Sequence, residues 1–413
     1  MLFNNNETQT GDELRKQRGI EIAKVAIIKR NGNKYLVPSM SGNGRYEVDP
    51  AASTCTCPDC QKGNICKHIY AAQIVMHRVW TRNADGSTTC TDTVAIKATK
   101  RTTYPQNWPA YNEAQTNETD QFQRLLGDLC GTVQTPPQKG RGQRCLPLSD
   151  ATFAVVFKVY STFSGRRFIS DLRSAHADGY LSRLPHFNSI FNYLDNPAMS
   201  EILTRLIVES AKPLAAVECD FAADSSGFAT SRFVRWFDHK YGVVRQEHDW
   251  VKVHLMCGVK TNVVTAVEIK DRNAGDAKQL PELMETTAQN FTMAEVSADK
   301  GYLSRNNVNE AARHGAVPYI AFKDNSTSRH GGVWGKMFHY FSFKKDEYLA
   351  HYHKRSNVES TISMIKAKFG DSVRSKTDTA MKNEALCKIL CHNICCLISA
   401  IYELGIEPEL GGK

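Results

Sequence analysis

Apolar positions along this chain change their period from one stretch to the next, and each period predicts a different kind of element. Before about residue 46 the pattern is extended. IEIAKVAIIK leads to an Asn-Gly turn at Asn31 and Gly32, then KYLVPS, a glycine-rich turn and RYEVD, which together predict a short antiparallel sheet. Residues 81–148 have little apolar periodicity and much Thr, Asn, Gln and Pro, so they read as connectors around one short helix near 117–130. From 149 to 210 the period is helical. Phe153, Val156, Phe157 and Tyr160 fall at i, i+3, i+4 and i+7, and Phe187, Ile190, Phe191 and Leu194 repeat that spacing. Ser164 can cap a second helix carrying Phe168 and Leu172, and Pro197 precedes a last one carrying Ile202 and Leu206. Beyond Pro213, strand patterns at 214–224, 250–261, 262–271, 291–299 and 316–322 are interleaved with helical patterns at 275–289 and 308–314, which predicts a mixed α/β sheet. The last helix places Cys387, Cys391 and Cys395 at i, i+4 and i+8 among Leu386, Ile389, Leu390 and Ile394, the pattern of a buried helix with small packing residues.

The chain thus divides into four segments: a small module at 1–80, a linker with a short helix at 81–148, a helical region at 149–210 and an α/β domain at 211–405. A length of 413 residues exceeds what one core usually serves, while 41% hydrophobic and 23% charged residues are ordinary for soluble domains. A formal net charge of +9 favours a polyanionic partner. Basic runs at 97–101 and 136–144 are suited to tracking a phosphate backbone, and Arg166, Arg167, Arg173 and Arg183 fit a helix-turn-helix-like DNA-binding region. No membrane span and no signal peptide are expected, so the protein is placed in the cytoplasm. Thirteen cysteines then read as metal ligands and core residues rather than as a disulfide framework.

Cys55, Cys57, Cys66 and His68 stand in the pattern C-x-C-x8-C-x-H. Thiolate and imidazole are the ligands that tetrahedral zinc prefers, and two tight pairs separated by a loop can close on one ion. Cys60 and His77 lie nearby without the paired spacing. The stretch from about 40 to 80 resembles the SWIM zinc finger, which implies a small ββα-like module with structural Zn²⁺ and a surface for DNA or protein.

Asp224 stands where the first α/β strand pattern gives way to DSSG, which reads as a turn, and Asp299 closes the fourth strand pattern, before KGY. Ligands of open α/β sheets collect at strand ends. Asp220 shares the strand face of Asp224 at an even offset and is an alternative ligand, whereas Asp249, Asp271 and Asp276 read as turn or cap residues. Farther on, a continuous helix over YHKRSNVESTISMIK would put Tyr352, Arg355, Glu359 and Lys366 on one polar face. On charge pattern alone that face is a solvated stripe with an i,i+4 pair of Arg355 and Glu359. With the two aspartates it becomes a third carboxylate between two bases. Three oxygen ligands without thiolate suit Mg²⁺ or Mn²⁺ and phosphate chemistry.

The spacing Tyr352-x2-Arg355-x3-Glu359-x6-Lys366 matches the Y-(2)-R-(3)-E-(6)-K signature of insertion-sequence transposases of the DDE type, and ADSSGF at 223–228 and ADKGY at 298–302 look like that group's two aspartate motifs. The resemblance covers about residues 215–400. It implies an RNase H-like domain whose catalytic acids are Asp224, Asp299 and Glu359, holding two Mg²⁺ ions, with Asp224 bridging them. It further implies Arg355 and Lys366 on DNA phosphates, Tyr352 beside the cleaved strand, double-stranded DNA of the element ends and target as partner, cleavage with strand transfer, and, by analogy, a homodimer near the nucleoid of a prokaryote. A metal-dependent nuclease and a catalytically silent DNA- or protein-binding descendant are the competing functions. Trp236 and Trp334 are read as core residues. The fused finger departs from most members, as does Ser226 where many relatives carry threonine.

Overall fold

The structure, a computed structural model, describes residues 11–40, 44–82, 88–92, 107–137, 145–230, 250–270 and 275–410. The basic runs at 97–101 and 138–144, Trp236, Asp249 and Asp271 lie outside the described residues. The chain divides into two units, Asn4–Tyr104 and Pro105–Lys413.

In the first unit, helix α1 (Gly11–Val25) precedes a four-stranded antiparallel sheet made of β1 (Lys29–Asn31), β2 (Lys34–Pro38), β3 (Arg45–Asp49) and β4 (Thr54–Cys55) in sequential order. The short helix α2 (Pro58–Gln61) and α3 (Lys67–Met76) come next, then a hairpin of β5 (Arg78–Arg82) and β6 (Thr88–Asp92). The sheet is where the alternation predicts it, but residues 20–25 are helical rather than extended. Tertiary packing decides this. Ile22 and Ala23 are buried, and a Cβ on Gly19 would stand 2.6 Å from the Tyr70 Cβ, so the missing side chain lets α1 lie close against α3.

The second unit opens with six helices: α4 (Trp108–Thr116), α5 (Glu118–Gly131), α6 (Leu148–Ser161), α7 (Gly165–Ala177), α8 (Phe187–Leu194) and α9 (Pro197–Ala211). Of the aromatics spaced helically in the sequence, Phe153, Phe157 and Phe168 face inward with Phe122, all buried and in ring contact, whereas α8 buries Ile190 and Leu194 and leaves Phe191 exposed. A mixed sheet comes next, β7 (Asp220–Ala229), β8 (Trp250–Gly258), β9 (Val264–Lys270), β10 (Glu295–Ala298) and β11 (Val317–Ile320), in the spatial order β11-β10-β7-β8-β9. Only β8 runs against the others. This is the RNase H-like mixed sheet that the sequence implies. Helices α10 (Leu280–Ala288), α11 (Arg305–Arg313), α12 (Gly332–Phe343) and α13 (Lys345–Tyr352) lead through a 3₁₀ turn, His353–Arg355, into α14 (Ser356–Phe369), and α15 (Asp378–Leu404) ends the fold.

By length and composition α15 is apolar enough to cross a membrane, yet 78% of its apolar stretch is buried inside the protein. It packs on α9, α6, α5 and α4, and its Cys387 and Cys391 are fully buried packing residues. Helices and sheet thereby share one continuous core.

Helix α15 also ties down the loop after α14. The Glu384 carboxylate accepts from the backbone N–H groups of Arg374 (2.9 Å) and Ser375 (2.8 Å) and from the Ser375 hydroxyl (2.7 Å). Lys388, one turn on, donates to the carbonyls of Gly370 (3.0 Å) and Ser372 (2.7 Å), and Ser372 in turn bridges to Ala229 at the end of β7. Glu384→Ala strands these donors, and we expect it to cost about 3 kcal/mol in a urea unfolding curve.

Candidate active site and metal centre

Parallel pairing of β7 and β10 sets the first two acids side by side. Ala223 is in register with Ala298, so one step along each strand brings Asp224 beside Asp299. Asp299 lies just past β10, where its carboxylate caps the 3₁₀ turn Lys300–Tyr302 by accepting from the Gly301 N–H at 3.3 Å. Asp224, in contrast, sits in the middle of its strand rather than at the end. The DSSG stretch is not a turn: Asp224 through Ala229 continue to pair with Leu255 through Trp250. A full-length partner strand overrides the turn propensity of Asp, Ser and Gly. Gly227 is needed there because a Cβ would meet the Trp250 ring at 2.8 Å. The residues at 214–218, expected as strand, are instead a 3₁₀ turn and bend that lead into β7.

Glu359 comes from the first turn of α14. Arg355 links it to the sheet: its Nη1 lies 2.7 Å from Glu359 Oε1 and 3.6 Å from Asp224 Oδ2. The helix is interrupted by the 3₁₀ turn, so the four signature residues do not share one uniform helical face. They still converge on the sheet. Tyr352 holds its ring 5.9 Å from the Arg355 guanidinium, and Lys366 donates to the Ser226 hydroxyl at 2.8 Å, two residues along β7 from Asp224.

The electrostatics report the same crowding. Burial raises the Asp224 carboxyl above its ordinary range, and the charges of Asp299 and Glu359 raise it further against the Ser225 N–H and Arg355. Burial likewise raises Tyr352 and lowers Lys366. Burial opposes the charge of Arg355, but Glu359, Tyr352 and Asp299 outweigh it. Asp224, four-fifths buried, and Glu359 flank the Arg355 guanidinium, and Asp299 acts on the site through its charge; carboxylate oxygens of this kind are the hard donors that divalent cations take.

Asp220, the alternative ligand, opens β7 and is engaged by Lys354 at 2.6 Å. Asp276 pairs with Lys252 at 2.7 Å, beside the buried His254. Trp334 gives its indole N–H to the Thr327 carbonyl and packs edge-on against Phe322, in an aromatic cluster that includes Tyr348 and Tyr352. Sequence reading passes over His254 and Lys354, because their partners are distant in the chain and no local spacing marks them.

In the first unit, the ligand atoms of Cys55, Cys57, Cys66 and His68 all lie within 4.8 Å of one another. Cys57 and Cys66 open the helices α2 and α3, and β4 carries Cys55. His68 is 3% exposed with both ring nitrogens lacking a hydrogen-bond partner, a costly arrangement that a metal ligand resolves. Cys55 beside it brings the Cys66 thiol down to about 4, while burial pushes Cys57 up. Cys60 stands outside the group of four and donates its backbone N–H to Cys57 Sγ, and His77 caps the end of α3. The cluster fits a Cys₃His metal site.

Residues 216–394 match the family model of the transposase DDE domain, and residues 41–73 match that of the SWIM zinc finger. No curated protein and no solved structure matches the chain. Residues 216–394 thus form a transposase DDE domain, and a SWIM zinc finger precedes it in the chain.

Proposed function

We propose that this protein is a DNA transposase that cleaves at the ends of its element and joins them to target DNA, with Asp224, Asp299 and Glu359 as the catalytic acids. The observation that carries this reading is the pairing of Arg355 with both Asp224 of β7 and Glu359 of α14, with Asp299 at the end of the neighbouring strand β10. These acids hold Mg²⁺ or Mn²⁺, which supplies charge neutralisation at the attacking and leaving oxygens of an in-line phosphodiester displacement. Arg355 offsets the mutual repulsion of Asp224 and Glu359 and faces a DNA phosphate; Lys366, held at Ser226, faces a second. Tyr352 closes one side of the site and shields these contacts from water. The finger holds Zn²⁺ through Cys55, Cys57, Cys66 and His68 and presents a surface to DNA or protein. The net charge of +9 suits a double-stranded DNA partner in the prokaryotic cytoplasm. Two element ends must be brought together, so the working form is a homodimer.

Incubating the full chain with Mg²⁺ and duplexes carrying the repeats that flank its gene should give cut ends and joined products. Cutting without joining identifies a nuclease instead. Binding without cutting, in a protein loaded with metal, rejects the transposase reading.

A further inference from the structure

The acid-bearing strands are joined at their other ends by an ion network that none of the signature residues belongs to. Asp220 and Glu295 open β7 and β10 and stand in register, so two carboxylates lie side by side where the strands begin. Lys354 reaches both: its Nζ donates to Asp220 Oδ2 at 2.6 Å and to Glu295 Oε2 at 2.8 Å. The second oxygen of Glu295 lies 2.8 Å from His351 Nδ1, and the His351 ring stacks flat on Tyr319 of β11 at 4.6 Å. The Lys354, Asp220 and Glu295 side chains are each at least two-thirds buried.

The residue after Lys354 is Arg355, which goes to Asp224, four residues and about 13 Å farther along β7 than Asp220. Adjacent side chains of the 3₁₀ turn therefore grip the strand at two places, and α14 starts immediately after with Glu359 in its first turn. The ion-pair partners of Arg355 are two of the acids themselves. Lys354 ties the turn to both aspartate-bearing strands independently of those acids.

We propose that Lys354 is a positioning residue: by bridging Asp220 and Glu295 it sets where α14 begins, and so the distance of Glu359 from Asp224 and Asp299. This rests on the reading of those three residues as metal-holding acids. Groups bonded directly to a metal ligand are worth about 10- to 100-fold in metal affinity, and Lys354, which acts one contact farther out, belongs at the lower end of that range.

The test is Mn²⁺ binding by the full-length protein without DNA, monitored by the electron paramagnetic resonance of free Mn²⁺. Lys354→Met should weaken the affinity about tenfold and Glu295→Gln about threefold, whereas Lys354→Arg, whose fork reaches both carboxylates, should stay within about twofold. Glu384→Ala is the control: it destabilises the fold but leaves Mn²⁺ affinity in place. If Lys354→Met does not fold, Glu295→Gln carries the test. Unchanged Mn²⁺ affinity in the folded variants overturns the positioning role alone. Absence of Mn²⁺ binding by the unaltered protein overturns the reading of the acids, and this proposal with it.

Discussion

Replacing Asp224 by asparagine will raise the thermal midpoint of the metal-free protein and at the same time lower DNA cleavage by about 10³-fold or more. The two effects share one cause. Asp224 is only 21% exposed, and burial together with Asp299 and Glu359 raises its pKa in the folded state. A carboxyl raised in this way favours folding below the ordinary aspartate range, and loses that contribution as pH climbs through the raised value. At neutral pH the ionised group therefore costs stability. Asparagine removes that cost while keeping size and the contact with the Ser225 N–H region, for a gain on the order of 1 kcal/mol, or about 2 °C. The gain should shrink toward zero as the pH falls into the acid range, where the native residue is protonated too. Glu359→Gln offers the contrast: its side chain is 54% exposed, so cleavage should fall as far with the midpoint nearly unchanged. Divalent cation should raise the midpoint of the native protein and not that of Asp224→Asn. Scanning calorimetry with and without Mg²⁺ measures all of this, and a lower midpoint for metal-free Asp224→Asn would contradict the electrostatic account.

How far the sequence foretells this site depends on the range of the interaction that makes each part. The spacing of Tyr352, Arg355, Glu359 and Lys366 and that of Cys55, Cys57, Cys66 and His68 are local, and both sets are brought together as groups. Asp299 is readable because a strand end followed by Lys-Gly is a local event. The run from Asp224 to Gly227 reads wrongly as a turn, since its residues have turn propensities and only the pairing with β8, tens of residues later, holds it extended. The helix at residues 20–25 reads wrongly as strand for the same reason: IEIAKV suits either element until Gly19 meets Tyr70. The break at His353–Arg355 has no proline or glycine to announce it. Its logic is tertiary, because Lys354 finds Asp220 and Glu295 at separations of 134 and 59 residues. Such partners leave no period in the sequence.

Removing the metal from the finger should unfold the first unit and spare the second. The core of the first unit is small, built on Ile22, Tyr35, Val37, Val48, Ile69 and Ala72, and two of its buried members are the ligands Cys57 and Cys66. No disulfide joins its cysteines among the described residues. Without a cation, His68 leaves two buried ring nitrogens unpaired, which costs about 1–3 kcal/mol for each group left without a partner. With zinc, those same groups supply binding energy that counts as folding energy, about 10–16 kcal/mol in isolated finger peptides. Few domains of this size have that much stability to lose. Chelation of the full chain should therefore remove the circular-dichroism signal of the first unit before heating begins and leave one thermal transition, that of the second unit. Cys66→Ser and His68→Ala should reproduce the effect and reduce bound zinc from about one ion per chain to none, whereas Cys60→Ser should retain both zinc and fold. Retention of zinc by Cys66→Ser, or its loss in Cys60→Ser, would reassign the ligand set, because the second unit's hydrophobic core gives it no reason to respond to either change.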